Sequence, residues 1–213
     1  MTVEEILEKE GVILNGPGHF VFSSMRHSAR FANGEQLITH PSVLRLLCSD
    51  LSSALRRKDI LFDVAVGPER GASAMLQWLA HNQHAASGRD TRAISVLKDG
   101  AGGYVIDPRF KYMLENKLVL MADDVTTTGG TLRKVAEAIR NARGIPVAAM
   151  VIWAWQELAT TNIGNLPYYY ALGQHTLETW TKEECAERGP CSKKIAINLE
   201  YGHGKEFLAS QKL

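Results

Sequence analysis

Apolar side chains recur at helical spacing after Pro41. Leu44, Leu47, Leu51 and Leu55 share one face, which predicts a helix to about Lys58. Arg56, Arg57 and Lys58 close it where the helix dipole favours cations. The period then changes. Leu61 to Val66 is a short apolar run that stops at Gly67-Pro68, the pattern of a buried strand entering a turn. A second helical stripe, Met75, Leu76, Leu79 and Ala80, runs within Gly71 to about Ala86. Ala93 to Leu97 reads as a strand, and Tyr104 to Ile106 as its return after a glycine-rich loop at 100–103. Lys117 to Ala122 is a further strand, ending at Asp123-Asp124. Leu132, Val135, Ala136 and Ile139 mark a helix from about Gly129 to Ala142, with Gly144 as its C-terminal cap. Pro146 to Trp155 is nearly all apolar, as a strand covered on both faces must be. Strands alternating with helices predict an α/β fold with a mainly parallel, twisted sheet flanked by helices.

The ends of the chain are less regular. Thr2 to Glu10 predicts a short helix with Val3, Ile6 and Leu7 on one side, and residues 11–33 predict turns and small strands. After Gly164 an edge strand, including Tyr168 to Tyr170, and a C-terminal cap are expected. With 213 residues the chain suits one domain, or one domain with a small appendage. Its 24 Lys+Arg against 23 Asp+Glu argue against a broad nucleic-acid surface, so no nucleic-acid partner is expected. Ile145 to Trp155, the longest apolar stretch, is too short to span a bilayer, and the acidic N-terminus shows no secretory pattern. Three cysteines make no disulfide framework and fit a reducing cytoplasm.

The chemistry concentrates in Leu118 to Leu132, where an apolar strand runs into Asp123-Asp124, then a Thr/Gly turn, then a helix. Ligands of open α/β sheets bind at the carboxyl ends of strands. Thr126, Thr127, Thr128, Gly129, Gly130 and Thr131 supply hydroxyls, backbone N–H groups and a helix N-terminus, which together suit a phosphate. Asp123 and Asp124 suit the vicinal hydroxyls of a sugar, or a hydrated Mg²⁺. A phosphate beside a diol describes a ribose 5-phosphate. No Walker-type GKS or GKT is present.

This segment resembles the phosphoribosyl-pyrophosphate (PRPP) signature of type I phosphoribosyltransferases. Gly18 to Ser24 with Arg26-His27-Ser28 resembles the N-terminal substrate segment of the orotate members, and Val64 to Gly71 their pyrophosphate loop. The late residues 176–191 and 202–207 resemble the C-terminal part of some members. The resemblance implies a single-domain fold with its core at about 40–160 and a hood from about 1–35 and 165–213. It implies transfer of the phosphoribosyl group to a nitrogenous base, most closely orotate, with inversion at C1 and release of pyrophosphate through an oxocarbenium-like transition state. Mg²⁺ as cofactor and a homodimer are implied with it. By position, Asp123 and Asp124 engage the ribose hydroxyls directly or through metal-bound water, and the turn to Thr131 holds the 5-phosphate. Gly67, Arg70 and Gly71 wrap the pyrophosphate, and Lys98 serves a mobile lid. Ser24, Arg26, Arg30, Phe31 and Trp155 are the candidates for holding the base.

The chain departs from the orotate pattern twice. Lys98 is the only basic residue from Ala93 to Ile106, where the family lid carries several. No Lys or Arg occurs from Gly144 to Thr181, where an arginine would pair with the orotate carboxylate. Arg26 or Arg30 would have to substitute, with Trp153 and Trp155 available to stack on a base or to fill the core. Two alternatives therefore stand beside orotate: another pyrimidine or a purine as the base, and a non-catalytic PRPP-sensing regulator. Cys185 and Cys191 with His175 and His203 have poor spacing for zinc, so a structural role without metal is expected. His19 and His27 are expected to make structural hydrogen bonds, and Arg133, Lys134, Glu137 and Arg140 to form a solvated helix face.

Overall fold

The computed structural model describes residues 1–22 and 24–211. Ser23, part of the N-terminal segment quoted above, lies outside the described residues. In chain order the elements are α1 (Val3–Lys9), β1 (Ile13–Leu14), β2 (Phe20–Val21), β3 (His27–Ser28), β4 (Phe31–Ala32) and α2 (Pro41–Arg56). Then come β5 (Val64–Pro68), α3 (Ser73–Ser87), β6 (Arg92–Lys98), β7 (Tyr104–Val105), β8 (Leu118–Thr126) and α4 (Gly130–Asn141). They end with β9 (Ile145–Ala154), β10 (Tyr169–Gln174), α5 (Lys182–Arg188) and α6 (Gly204–Ser210). Among the described residues no helix is long and apolar enough to cross a membrane.

The chain forms two compact units, one from residues 34–175 and one from residues 1–33 and 176–213. The larger holds a six-stranded sheet in the order β10-β9-β8-β5-β6-β7, parallel except for the β6–β7 hairpin. Both faces of its middle strands are covered, which is why β8 and β9 read as unbroken apolar runs. Val66, Val96, Met121 and Val151 from the sheet pack with Leu132, Val135 and Ile139 from the predicted stripe of α4. The apolar face of α2 is buried as its leucine spacing predicts, with Leu44, Leu47, Leu51 and Leu55 at 2% exposure or less.

Two boundaries differ from the sequence reading. β8 does not stop at Ala122; it continues through both aspartates because β9 keeps pairing with it, Asp123 opposite Val151 and Thr126 opposite Ala154. The helix α4 is not closed by Gly144. Its C-cap is Ala142, and Arg143 takes the left-handed conformation (φ 59°). Gly144 instead leaves room for a close approach, since a Cβ there would stand 2.7 Å from Ile139 Cγ2.

In the smaller unit β1 pairs antiparallel with β4, and β2 with β3. Thr2 caps α1 reciprocally with Glu5, and Thr181 caps α5 with Glu184. His19 and His27 are fully buried there, and desolvation lowers the pKa of each imidazole.

Candidate functional site

The C-terminal ends of β5, β6 and β8 open onto a cleft of about 670 Å³. Asp123 and Asp124 reach it from β8, Arg70 and Gly71 from the turn after β5, and Lys98 from the end of β6. The end of a parallel sheet leaves strand-end backbone and side chains unpaired at one rim, so the topology itself gathers these residues.

The two aspartates are held differently. Asp123 is 5% exposed and accepts the Asp124 N–H at 3.1 Å. Asp124 is half-buried and accepts the Val125 N–H at 2.7 Å. The Asp124 carboxylate lies directly against the backbone of Gly34 and Gly71, where any Cβ would overlap it. Glycine at these two positions is therefore a matter of space for a carboxylate. Burial, and then the Asp124 charge, raises Asp123 well above the ordinary carboxylate range. Asp124 is raised too, by burial first, with the Val125 N–H opposing.

The folded chain therefore holds a proton on Asp123 more tightly than the unfolded chain does. Its contribution to stability is fully present below the ordinary carboxylate range and is lost as pH rises through the raised value. Asp123→Asn is expected to raise the thermal midpoint of the ligand-free, cation-free chain at neutral pH by about 3–6 °C. The difference should shrink as pH falls. Scanning calorimetry checks this; a variant no more stable than wild type at any pH contradicts the buried-charge account.

Beyond the aspartates lies the turn into α4. Gly129 sits at φ +76° at the N-cap of α4, a conformation that strains any other residue, and offers no side-chain cap. The first N–H groups of α4 are thus left for another acceptor. Thr127 and Thr128 are exposed on the turn, Thr126 is buried at the end of β8, and Gly130 and Thr131 begin the helix. Arg70 is exposed, lines the cleft and holds a left-handed backbone (φ 67°), a strain that clusters at ligand sites. Gly67 lies inside β5, where a Cβ would overlap the Ala122 carbonyl oxygen; it permits close strand approach and is not among the cleft-lining residues.

Lys98 is exposed at the root of the β6–β7 hairpin and pairs in register with Tyr104. The glycine loop is organised by Asp99, whose Oδ1 accepts the N–H groups of Ala101 and Gly103, both at 2.8 Å. Lys134 of α4 donates to the Gly102 carbonyl, and Lys98, Lys134 and Thr131 line one hollow of about 410 Å³. Lys134 is thus no merely solvated residue. It brings a second cation to the loop that the linear sequence shows as almost bare of them. Arg140 likewise donates to the Gly164 carbonyl at 2.6 Å.

Glu35 and Tyr104 line the cleft without a site role in the sequence reading, and Glu69 lines it from within the predicted pyrophosphate loop. Glu35 lies beside Asp124 and adds to its raised pKa. Burial, and then the Asp123 charge, raises the Tyr104 hydroxyl. With Glu35, Glu69, Asp123 and Asp124 against Arg70 and Lys98, the cleft is rich in hard oxygen donors. A buried and a half-buried carboxylate that repel each other in such a donor set fit a hydrated divalent cation such as Mg²⁺.

The base candidates divide between the units. Trp155 is 2% exposed, edge-to-face with Trp153 at 5.6 Å, so it packs in the core and a base would reach it only by displacing its neighbours. In the smaller unit Ser24 is exposed, and Phe31 stacks with Phe20 at 5.3 Å. Arg26 donates to Thr179 Oγ1 at 2.9 Å and to the Thr179 carbonyl at 2.8 Å. Arg30 pairs with Glu4 at 2.6 Å and Glu8 at 2.9 Å.

Comparison with known proteins gives a consistent answer. The phosphoribosyl transferase domain family matches residues 34–161. Orotate phosphoribosyltransferase of Caldicellulosiruptor bescii is 34% identical over 131 residues, covering 62% of this chain and 64% of that protein. The protein of the same name from Caldicellulosiruptor saccharolyticus is 31% identical, covering 62% and 63%. The chain thus spans just under two thirds of the length of these relatives. A crystal structure of Mycobacterium tuberculosis orotate phosphoribosyltransferase in complex with PRPP shares the fold, with a TM-score of 0.60, 18% identity and coverage of 81% of this chain and 93% of that one.

Proposed function

The chain belongs to the phosphoribosyl transferase domain family, and from that premise we propose that it transfers a 5-phosphoribosyl group from PRPP to a nitrogenous base, orotate first, releasing pyrophosphate. The observation that carries this reading is the convergence of Asp123, Asp124, Arg70 and Lys98 on one cleft beside the uncapped start of α4. Thr127, Thr128 and the first N–H groups of α4 bind the 5-phosphate. Asp124 and Asp123 accept hydrogen bonds from the ribose hydroxyls and hold Mg²⁺ through water. The cation supplies neutralising charge to the diphosphate. Arg70 and Lys98 add protein charge where it grows as the C1–O bond breaks and the base nitrogen bonds C1. No side-chain nucleophile is required; positioning and electrostatics carry the step. A homodimer belongs to the same reading, through the resemblance.

Support for orotate comes from the names of the relatives at 31–34% identity. A second reading, a different pyrimidine or a purine, is favoured by the arginines. Arg30 is engaged with Glu4 and Glu8, Arg26 with Thr179 and Glu184, and no Lys or Arg occurs between Gly144 and Thr181. Pyrophosphate release with PRPP, Mg²⁺ and a panel of bases separates the two. Orotate is expected to give the highest rate. A faster neutral base selects the second reading, and silence with every base rejects transfer altogether.

A further inference from the structure

The smaller unit brings together four side chains that the linear spacing separates into unrelated pairs. His19, His27, Cys185 and Cys191 each offer one ligand atom, and these four atoms lie within 4.8 Å of one another. His175 and His203, the histidines nearest the cysteines in sequence, are not among them. The Nε2 of His19 stands 2.9 Å from the Nδ1 of His27. Cys191 Sγ lies 3.4 Å from the first nitrogen and 3.6 Å from the second. Zinc bonds of about 2.0–2.1 Å to nitrogen and about 2.3 Å to sulfur give tetrahedral edges of roughly 3.3–3.8 Å. These three separations among His19, His27 and Cys191 lie within a few tenths of an ångström of that figure.

The backbone fixes each ligand before any ion arrives. His19 donates its N–H to Ala196 at 2.8 Å and accepts from Asn198 at 2.7 Å, while His27 exchanges two hydrogen bonds with Trp180 at 2.7 and 2.9 Å. Both histidines are thus clamped to strands of chain flanking the cysteine pair. The Nδ1 of His19 lies 2.9 Å from the Ile195 carbonyl, which can only accept. That contact puts the proton on Nδ1 and leaves the Nε2 lone pair facing the cluster, the outer-shell arrangement of ligating histidines. Cys185 Sγ accepts the Cys191 N–H at 3.2 Å. Gly189 allows the turn to wrap that sulfur, since a Cβ there would stand 3.0 Å from it. His19, His27 and Cys185 are fully buried, and the Nδ1 of His27 is the nitrogen that faces His19 and Cys191. Three of the four residues are buried and Cys191 is half-buried, and the set they make is two imidazoles and two thiols. It suits a four-coordinate structural ion.

We propose that His19, His27, Cys185 and Cys191 form a structural zinc site that ties the N-terminal hairpin β2–β3 to α5 and the turn after it. The two thiols lose their protons to solvent on binding, and the two positive charges of the ion balance the two thiolates so formed. A unit built only from residues 1–33 and 176–213 is of the size at which small folds use such staples. The site is independent of the transfer reading above.

The test uses the full chain without a histidine tag, reduced, loaded with Zn²⁺ or Co²⁺ and freed of excess ion. One zinc per chain is expected by elemental analysis. Cys185→Ser and His27→Ala are each expected to retain at least tenfold less, while Cys48→Ser, whose thiol lies in the other unit, retains the full complement. The cobalt form of the wild-type chain should show intense tetrahedral d–d bands and thiolate charge transfer. This spectrum decides the matter even if a variant fails to fold. Wild-type chain holding no more metal than its Cys185→Ser variant, a pale octahedral cobalt spectrum, or a Cys185–Cys191 disulfide in the freshly isolated chain overturns the proposal.

Discussion

Asp124→Asn is expected to lower kcat/KM for PRPP by about 10²-fold, with most of the loss in PRPP affinity. Asparagine keeps the shape of the side chain and its acceptor for the Val125 N–H, so the fold around β8 is preserved. The substitution removes the negative charge, which under the proposed function accepts from the ribose hydroxyls and attracts the cation. Gly71→Ala should act in the same direction through the same carboxylate, because its Cβ would overlap Asp124 Oδ2 and push it out of place. A displacement of about 1 Å at such a site costs on the order of 10²-fold. Steady-state kinetics with calorimetric PRPP titration checks both variants. Wild-type PRPP affinity in Asp124→Asn would remove this residue from the ribose site.

Lys98→Ala is expected to lower kcat by about 10²-fold while PRPP affinity stays within a few-fold. The reasoning is that diphosphate charge grows as the C1–O bond breaks, so a cation at the rim of the cleft is felt most in the transition state. Lys98 meets that requirement by standing at the end of β6, at the root of the glycine hairpin, where it lines the cleft. Lys134, bound to the Gly102 carbonyl, positions the loop from α4. Equal losses of kcat and affinity would make Lys98 a ground-state binding residue, and no loss in either would make it a surface lysine.

Much of this was legible in the sequence for a physical reason. The stripes of α2 and α4 are buried on one face and show as helical periodicity, while β8 and β9 are covered on both faces and show as unbroken apolar runs. Asp123-Asp124 before a Thr/Gly turn is legible because strand end, turn and helix start are contiguous. What was missed depends on contacts between distant segments. The extension of β8 to Thr126 is set by pairing with β9, and the left-handed residue after α4 is Arg143, with Gly144 packed close against Ile139. Glu35 and Tyr104 join the cleft, and Lys134 its loop, only through the tertiary fold. The histidines that meet Cys185 and Cys191 come from the opposite end of the chain, a pairing that no local spacing rule reaches.

Group transfer at one cleft is tested most directly by the balance of its products. The chain is incubated with PRPP, Mg²⁺ and the base preferred in the panel, and nucleotide and pyrophosphate are quantified together by chromatography and mass spectrometry. One nucleoside 5′-monophosphate is expected for each pyrophosphate released, with inverted configuration at C1, and neither product is expected without the base. Pyrophosphate released without nucleotide, or PRPP bound and recovered unchanged with every base, would contradict the account.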